Sequence, residues 1–147
     1  MASTYADILE FHKTVLVMGL AYKGGLKVHI LSPGRGISQE MSSRGVDVYV
    51  DDPMYSDSEM LEIIGEEITP VNFIDSLGEK SLIVITSDHS EYRVPFREIS
   101  GKITKGSVIL DVYGMWEPHK KKLLGEGVVH VTLGEKGWVD QVKKTRI

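Results

Sequence analysis

Short apolar runs rich in β-branched residues recur along the chain, separated by stretches whose apolar positions follow helical spacing. The strands this predicts are Thr14 to Met18, Val46 to Val50, Ile68 to Val71, Leu82 to Thr86, Val108 to Leu110 and Val128 to Leu133. Leu82-Ile83-Val84-Ile85 is apolar at every position, as a strand buried on both faces must be, and a parallel sheet covered by helices supplies that burial. Between the runs, Ser32 to Arg44, Asp57 to Ile64, Asn72 to Leu77, Phe96 to Ile103 and Glu117 to Leu124 read as short helices. Gly45, Gly65, Gly78 and Gly125 sit where those helices should stop. Repeated β-α-β units imply right-handed crossovers. The expected fold is α/β: a Rossmann-like, doubly wound, mainly parallel sheet of about six strands with helices on both faces. No linker or repeat interrupts the pattern, so one domain is expected over 1–147, with the first ten or so residues and the C-terminal tail loose.

Such a sheet takes ligands beyond the carboxyl ends of its strands. This directs attention to Leu20 to Leu31, Asp51 to Asp57, Ser87 to Val94 and Asp111 to Pro118. The first strand runs into "VLVMGLAYKGG", where Gly19, Ala21 and Gly24 form G-x-A-x-x-G, one residue from the dinucleotide fingerprint. In that fingerprint the helix begins inside the glycine motif, whereas here Ser32-Pro33 is the better start, serine as N-cap and proline in the first turn. About a dozen residues therefore separate Gly19 from the helix, too many for the tight turn. Asp51-Asp52, at the end of the second strand, follows Gly19 by roughly thirty residues rather than about 20. Asp52-Pro53 is also an ordinary turn opener. Independent NAD binding would need the loop to tighten around Gly19 and Asp51 to face a ribose.

Composition narrows the chemistry. Of 147 residues, 41% are hydrophobic and 26% charged, a globular balance. The net charge of −4 argues against a general nucleic-acid or anionic-membrane surface, and the basic clusters at His119 to Lys122 and Lys143 to Arg146 are local. There is no cysteine, which excludes disulfides, thiolate metal sites and thiol nucleophiles. With no signal-peptide pattern and no apolar run approaching 18 residues, a soluble cytoplasmic protein is expected.

The spelling of the strand-end segments is more telling than their placement. "GLAYK" after the first strand, "SP" opening the helix, "VYVDDP" ending the second, "ITSDHSEYR" after the fourth and "ILDVYGMW" at the fifth occur in order. Together they resemble the C-terminal UDP-binding domain of the UDP-glucose/GDP-mannose dehydrogenase family. The D-x-x-G-x-W ending is most similar to the UDP-N-acetylmannosamine dehydrogenase branch. The resemblance extends from about Phe11 to Gly137.

Members of that family oxidise the C6 hydroxyl of a nucleotide sugar twice with NAD, which an N-terminal domain holds, and use a cysteine nucleophile. The resemblance therefore implies a UDP-sugar site at Gly19, Tyr22, Lys23, Ser32, Asp111 and Tyr113, with Lys23 as a cation for the diphosphate or the neighbouring domain. It implies no cofactor on this domain itself, NAD belonging to the full-length family. Where the family writes P-x-x-x-D-x-R-E-S-P, this chain keeps only Ser32 and Pro33, with Ile30 and Leu31 in place of arginine and glutamate. Tyr113 likewise stands where the family carries a nucleotide-contacting arginine. With charge-assisted bonds at about 1.5–3 kcal/mol each, two lost arginines weaken binding by roughly a hundredfold or more.

No catalytic residue is expected here, because the NAD domain and the cysteine are both missing from this sequence. Nor is a metal site: Asp88-His89-Ser90-Glu91 reads as an ordinary strand-end loop, and His29 and His119 are too distant in sequence to complete it predictably. Trp116 and Trp138 read as packing or interface anchors. Leu26, Val28 and Ile30 alternate with Lys27 and His29, and their apolar side needs cover from the protein's own core or another chain. Three functions stay open. The chain is a UDP-sugar-binding subunit, fragment or remnant of such an oxidoreductase; a non-catalytic interaction module, with a homodimer or separate catalytic chain as partner; or an independent NAD-binding domain.

Overall fold

The computed structural model describes residues 14–21, 24–25, 27–30 and 32–132. Its strands are β1 (Thr14–Met18), β2 (Asp47–Asp51), β3 (Thr69–Pro70), β4 (Leu82–Ile85), β5 (Val108–Asp111) and β6 (Val129–Thr132). Its α-helices are α1 (Pro33–Ser43), α2 (Asp57–Ile64) and α3 (Lys120–Gly125). The six strands form one sheet in the order β3-β2-β1-β4-β5-β6, with every pairing parallel. The expected α/β sheet is thus present, and among the described residues every pairing in it is parallel.

The alternation of β1 explains how the sheet is buried. Val15 and Val17 pack under α1 and α2 with Ile37, Met41, Met60 and Ile64, while Leu16 and Met18 face the other layer with Phe73, Tyr92, Ile99, Trp116 and Leu123. Neither face meets water, so each fully buried large apolar side chain contributes about 1.5–3 kcal/mol.

The second layer departs from expectation. Asn72 to Leu77 and Phe96 to Ile103 form no α-helix; each contributes a single 3-10 turn, Phe73–Asp75 and Phe96–Glu98. These segments are too short to offset the cost of helix nucleation, and the Asn72 side chain accepts from the Ile74 amide, closing a local turn instead. Cover comes from the large rings, Trp116 and Tyr92 being fully buried. In the last connection a 3-10 turn over Glu117–His119 leads into α3, and Gly125 lies inside that helix, whose cap is Glu126. Leu133, Gly137 and Trp138 lie outside the described residues.

The other two helices start as their sequences require. Ser32 caps α1, its Oγ accepting from the Arg35 amide at 3.3 Å, and Pro33 follows in the first turn. Ser56 and Glu59 close a reciprocal capping box at α2.

Candidate functional site

The carboxyl ends of the central strands are flush. Met18 pairs with Asp51 on one side and Ile85 on the other, and Ile85 pairs with Asp111. The strand order reverses between β1 and β4, which makes their carboxyl ends the switch point of the sheet.

The loop after β1 is clasped to the segment after β4 by consecutive side chains. Thr86 Oγ1 donates to the Gly19 carbonyl at 2.8 Å and Ser87 Oγ to the Ala21 carbonyl at 2.6 Å. Asp88 Oδ1 then accepts from the Gly24 amide at 2.6 Å, and His89 Nδ1 from the Gly25 amide at 3.2 Å. Gly19 is bent to φ +126°, and a side chain there would begin 2.3 Å from Ser87 Oγ. The first turn of α1 packs against the loop from the other side. A Cβ on Gly34 would lie 1.8 Å from the Gly19 carbonyl oxygen, so only glycine lets the helix approach this closely.

Asp52 holds the same loop from β2. Its Oδ2 accepts from the Leu20 amide at 2.7 Å, the Ala21 amide at 2.8 Å and His89 Nε2 at 2.9 Å, while Oδ1 accepts from the Met54 amide at 2.8 Å. Burial alone would raise the Asp52 pKa; the His89 hydrogen bond and the Ala21 and Met54 amides overcome it and hold the carboxyl below its ordinary range. Burial likewise works against charge on His89, but the bond to Asp52 and the charges of Asp52, Glu91 and Asp51 outweigh it and raise the imidazole above its usual value. Because the Gly25 amide donates to Nδ1, the neutral ring carries its proton on Nε2, aimed at Asp52.

The residues expected at a UDP-sugar site are distributed unevenly. Gly19 lies buried at the switch point, directly after β1. Ser32 is a buried helix cap. Tyr113 follows β5 and is about half exposed (48%). Tyr22 and Lys23 lie outside the described residues. Asp111 faces inward: its side chain is fully buried, Oδ1 accepts from the Met115 amide at 2.9 Å, and Oδ2 accepts from the Trp116 amide at 2.7 Å and His130 Nε2 at 2.8 Å. In this arrangement its carboxylate caps the turn that carries Trp116, whose Nε1 donates to the Tyr92 carbonyl at 2.7 Å, and offers a ligand no free face. The D-x-x-G-x-W spacing is therefore the spacing of a structural turn.

Asp88 and His89, read in the sequence as part of an ordinary strand-end loop, act as loop latches. The role of Asp52 was missed. Its signal was the pairing of β1 with β2, which brings Asp52 level with Gly19. Arg35 was missed as well; it sits in the first turn of α1 with its Nε buried and unpartnered among the described residues. Val28 (47% exposed) and Ile30 (66%) do not pack onto the protein's own core.

A parallel sheet in this order, with helices on both faces and a clasped loop at its switch point, defines the Rossmann class of α/β domains. The chain belongs to the UDP-glucose/GDP-mannose dehydrogenase family, whose UDP binding domain matches residues 16–118. No curated protein sequence matches it significantly. Among solved structures, a UDP-glucose dehydrogenase from the hyperthermophilic archaeon Pyrobaculum islandicum is similar at 24% identity and TM-score 0.57, over 75% of this chain and 24% of that one. A UDP-N-acetyl-mannosamine dehydrogenase from S. aureus is similar at 21% identity and TM-score 0.59, over 96% of this chain and 30% of that one. A D-lactate dehydrogenase from Lactobacillus jensenii, solved with NAD+, reaches TM-score 0.57 at 16% identity, over 88% of this chain and 37% of that one. The chain thus spans about a quarter to a third of the length of the nucleotide-sugar dehydrogenases it resembles. Among the described residues, no helix is long and apolar enough to cross a membrane.

Proposed function

We propose that the chain binds a UDP-sugar at the β1–β4 switch point, over the loop after β1 and the first turn of α1, acting as the nucleotide-sugar part of a cytoplasmic, NAD-dependent oxidoreductase of polysaccharide-precursor synthesis. The observation that carries this reading is the clasp, which holds Gly19, Leu20, Ala21 and Gly24 beside the β1–β4 switch point. The amino-terminal end of α1 abuts Gly19 and favours anions. Arg35 in that first turn and Lys23 in the loop supply cations for a diphosphate where Ile30 and Tyr113 supply none. Oxidation of the sugar would require NAD and a cysteine nucleophile from a separate catalytic chain or a longer polypeptide.

Isothermal titration calorimetry with UDP, UDP-N-acetylmannosamine and NAD tests this. Saturable binding of the uridine ligands, weakened about tenfold by Lys23→Ala or Arg35→Ala, is expected. Binding of NAD alone would assign the loop to a dinucleotide. Silence from all three on folded protein would favour the second reading, an interaction module that kept the fold. That reading rests on exposed Val28 and Ile30, which would then meet a second copy or a partner chain.

A further inference from the structure

The edge strand β6 buries a histidine that plays no part in the clasp. His130 lies level with Ile109 of β5, and its side chain is fully buried. Its Nε2 meets Asp111 Oδ2 at 2.8 Å. The carboxylate is the acceptor of that bond, so the neutral ring carries its proton on Nε2 and keeps a lone pair on Nδ1. Nδ1 is buried with no hydrogen-bond partner among the described residues, an uncommon state for a polar atom in an interior. What faces it is another acceptor: Glu117 Oε2, 3.8 Å away, on a side chain that is 53% exposed.

The two carboxylates bracket one loop. Asp111 ends β5 and caps the Met115 and Trp116 amides. Glu117 opens the 3-10 turn that follows, and its amide donates to the Gly114 carbonyl at 3.2 Å. Between them runs the segment that carries Tyr113, half exposed at the carboxyl edge of the sheet. Glu117 is also tied to β6 by Thr132, whose Oγ1 donates to Oε2. The other charged groups nearby are turned elsewhere. His119 Nε2 is bonded to the Val94 carbonyl and Lys122 extends over the Phe96 ring, while α3 brings apolar Leu123 to this layer. Neither Lys120 nor Lys121 bonds to Nδ1.

A proton on Nδ1 changes this arrangement at one point. It turns two facing acceptors into a donor and a carboxylate, and the half-exposed Glu117 need approach by only about 1 Å to complete a charge-assisted bond. We infer that His130 is a proton-gated staple for the loop after β5. Protonated, its ring joins Asp111 and Glu117, the two ends of the loop, to β6; neutral, it holds Asp111 alone. The inference concerns the loop itself and does not depend on which ligand the domain takes.

The test follows the ¹⁵N-labelled whole chain by NMR from about pH 5 to about pH 8. Ring-nitrogen shifts give the protonation and tautomer of His130. Amide exchange at Gly114 and Glu117, corrected for intrinsic rates, gives the firmness of the loop. The expected result is an Nε2–H tautomer in the neutral ring and exchange about tenfold slower once the ring is protonated, with the midpoint of the His130 nitrogens. Glu117→Gln keeps an acceptor for Thr132 without the charge. It should remove most of that change while His130 still titrates, which also separates the effect from His89 in the loop after β4. An Nδ1–H tautomer, a ring whose protonation stays constant over this range, loop exchange that ignores the His130 midpoint, or an unaltered change in Glu117→Gln would each overturn the inference.

Discussion

Replacing Asp52 with alanine should damage this domain more than any surface change, by an amount the structure allows to be worked out. The carboxylate accepts from the Leu20, Ala21 and Met54 amides and from His89 Nε2, and the residue is only 3% exposed. Asp52→Ala strands the Leu20 and Ala21 amides and the imidazole N–H in the interior, at about 1–3 kcal/mol for each buried donor left unmet. Water entering the vacated space satisfies part of that loss. The net cost should be about 3–5 kcal/mol, as for removal of one member of a buried charged pair. At roughly 4 °C per kcal/mol for a domain of this size, Tm should fall by roughly 12–20 °C. Urea and thermal unfolding at neutral pH measure both quantities.

The pH dependence has a definite sign. The folded Asp52 pKa lies below its ordinary 3.8, so its contribution is complete above 3.8 and is lost as pH falls through the folded value. The gap between the two proteins should therefore close in strong acid, and should also narrow as pH rises through the folded His89 value, where the charged pair is lost. A loss under about 1 kcal/mol at neutral pH would refute the reasoning, because it would mean the stranded donors find partners at no cost.

Gly34→Ala should destabilise by about 2 kcal/mol or more, although alanine is the better helix former by about 1 kcal/mol, because its Cβ would begin 1.8 Å from the Gly19 carbonyl oxygen; urea unfolding gives the sign directly. Protonation of His89 removes the acceptor of the Gly25 amide while strengthening the pair with Asp52. Its raised pKa means that the stabilisation from the charged pair is present below 6.5 and lost as pH rises through the folded value. The Gly25 amide should therefore exchange faster, after correction for intrinsic rates, on the acid side of that transition even as global stability rises. Asp111→Asn should cost about 2–4 kcal/mol, by setting an NH2 against donors from Met115, Trp116 or His130, and should alter tryptophan fluorescence in the absence of any ligand.

Much of this architecture was legible in the hydrophobic pattern. A run such as Leu82 to Ile85 permits little but a doubly covered strand, and Ser32-Pro33 placed the start of α1 well beyond Gly19. The shortened second layer was not legible, because Phe73, Tyr92 and Trp116 cover the sheet by ring size rather than by helical periodicity. The role of Asp111 was obscured for a related reason. At the carboxyl edge, a carboxylate turned toward a ligand and one turned inward to cap a turn have the same sequence neighbours. Only the Met115 and Trp116 amides distinguish them. Asp51 and Asp52 posed the same difficulty: the Phe73 amide engages Asp51, and the pairing of β1 with β2 brings Asp52 to the β1 loop.

The clasp also bears on the order in which the molecule assembles. Its bonds join residues far apart in the chain: Leu20 and Ala21 to Asp52, 32 and 31 positions away, His89 to Asp52 across 37, and Gly24 to Asp88 across 64. Each closes a long loop, and none has geometry until β1, β2 and β4 lie side by side. The clasped loop should therefore take its final form late in folding, after the sheet that frames it. Weakening the clasp should hasten unfolding and leave the refolding rate nearly untouched, so the polypeptide is committed to its sheet before its binding loop is in place.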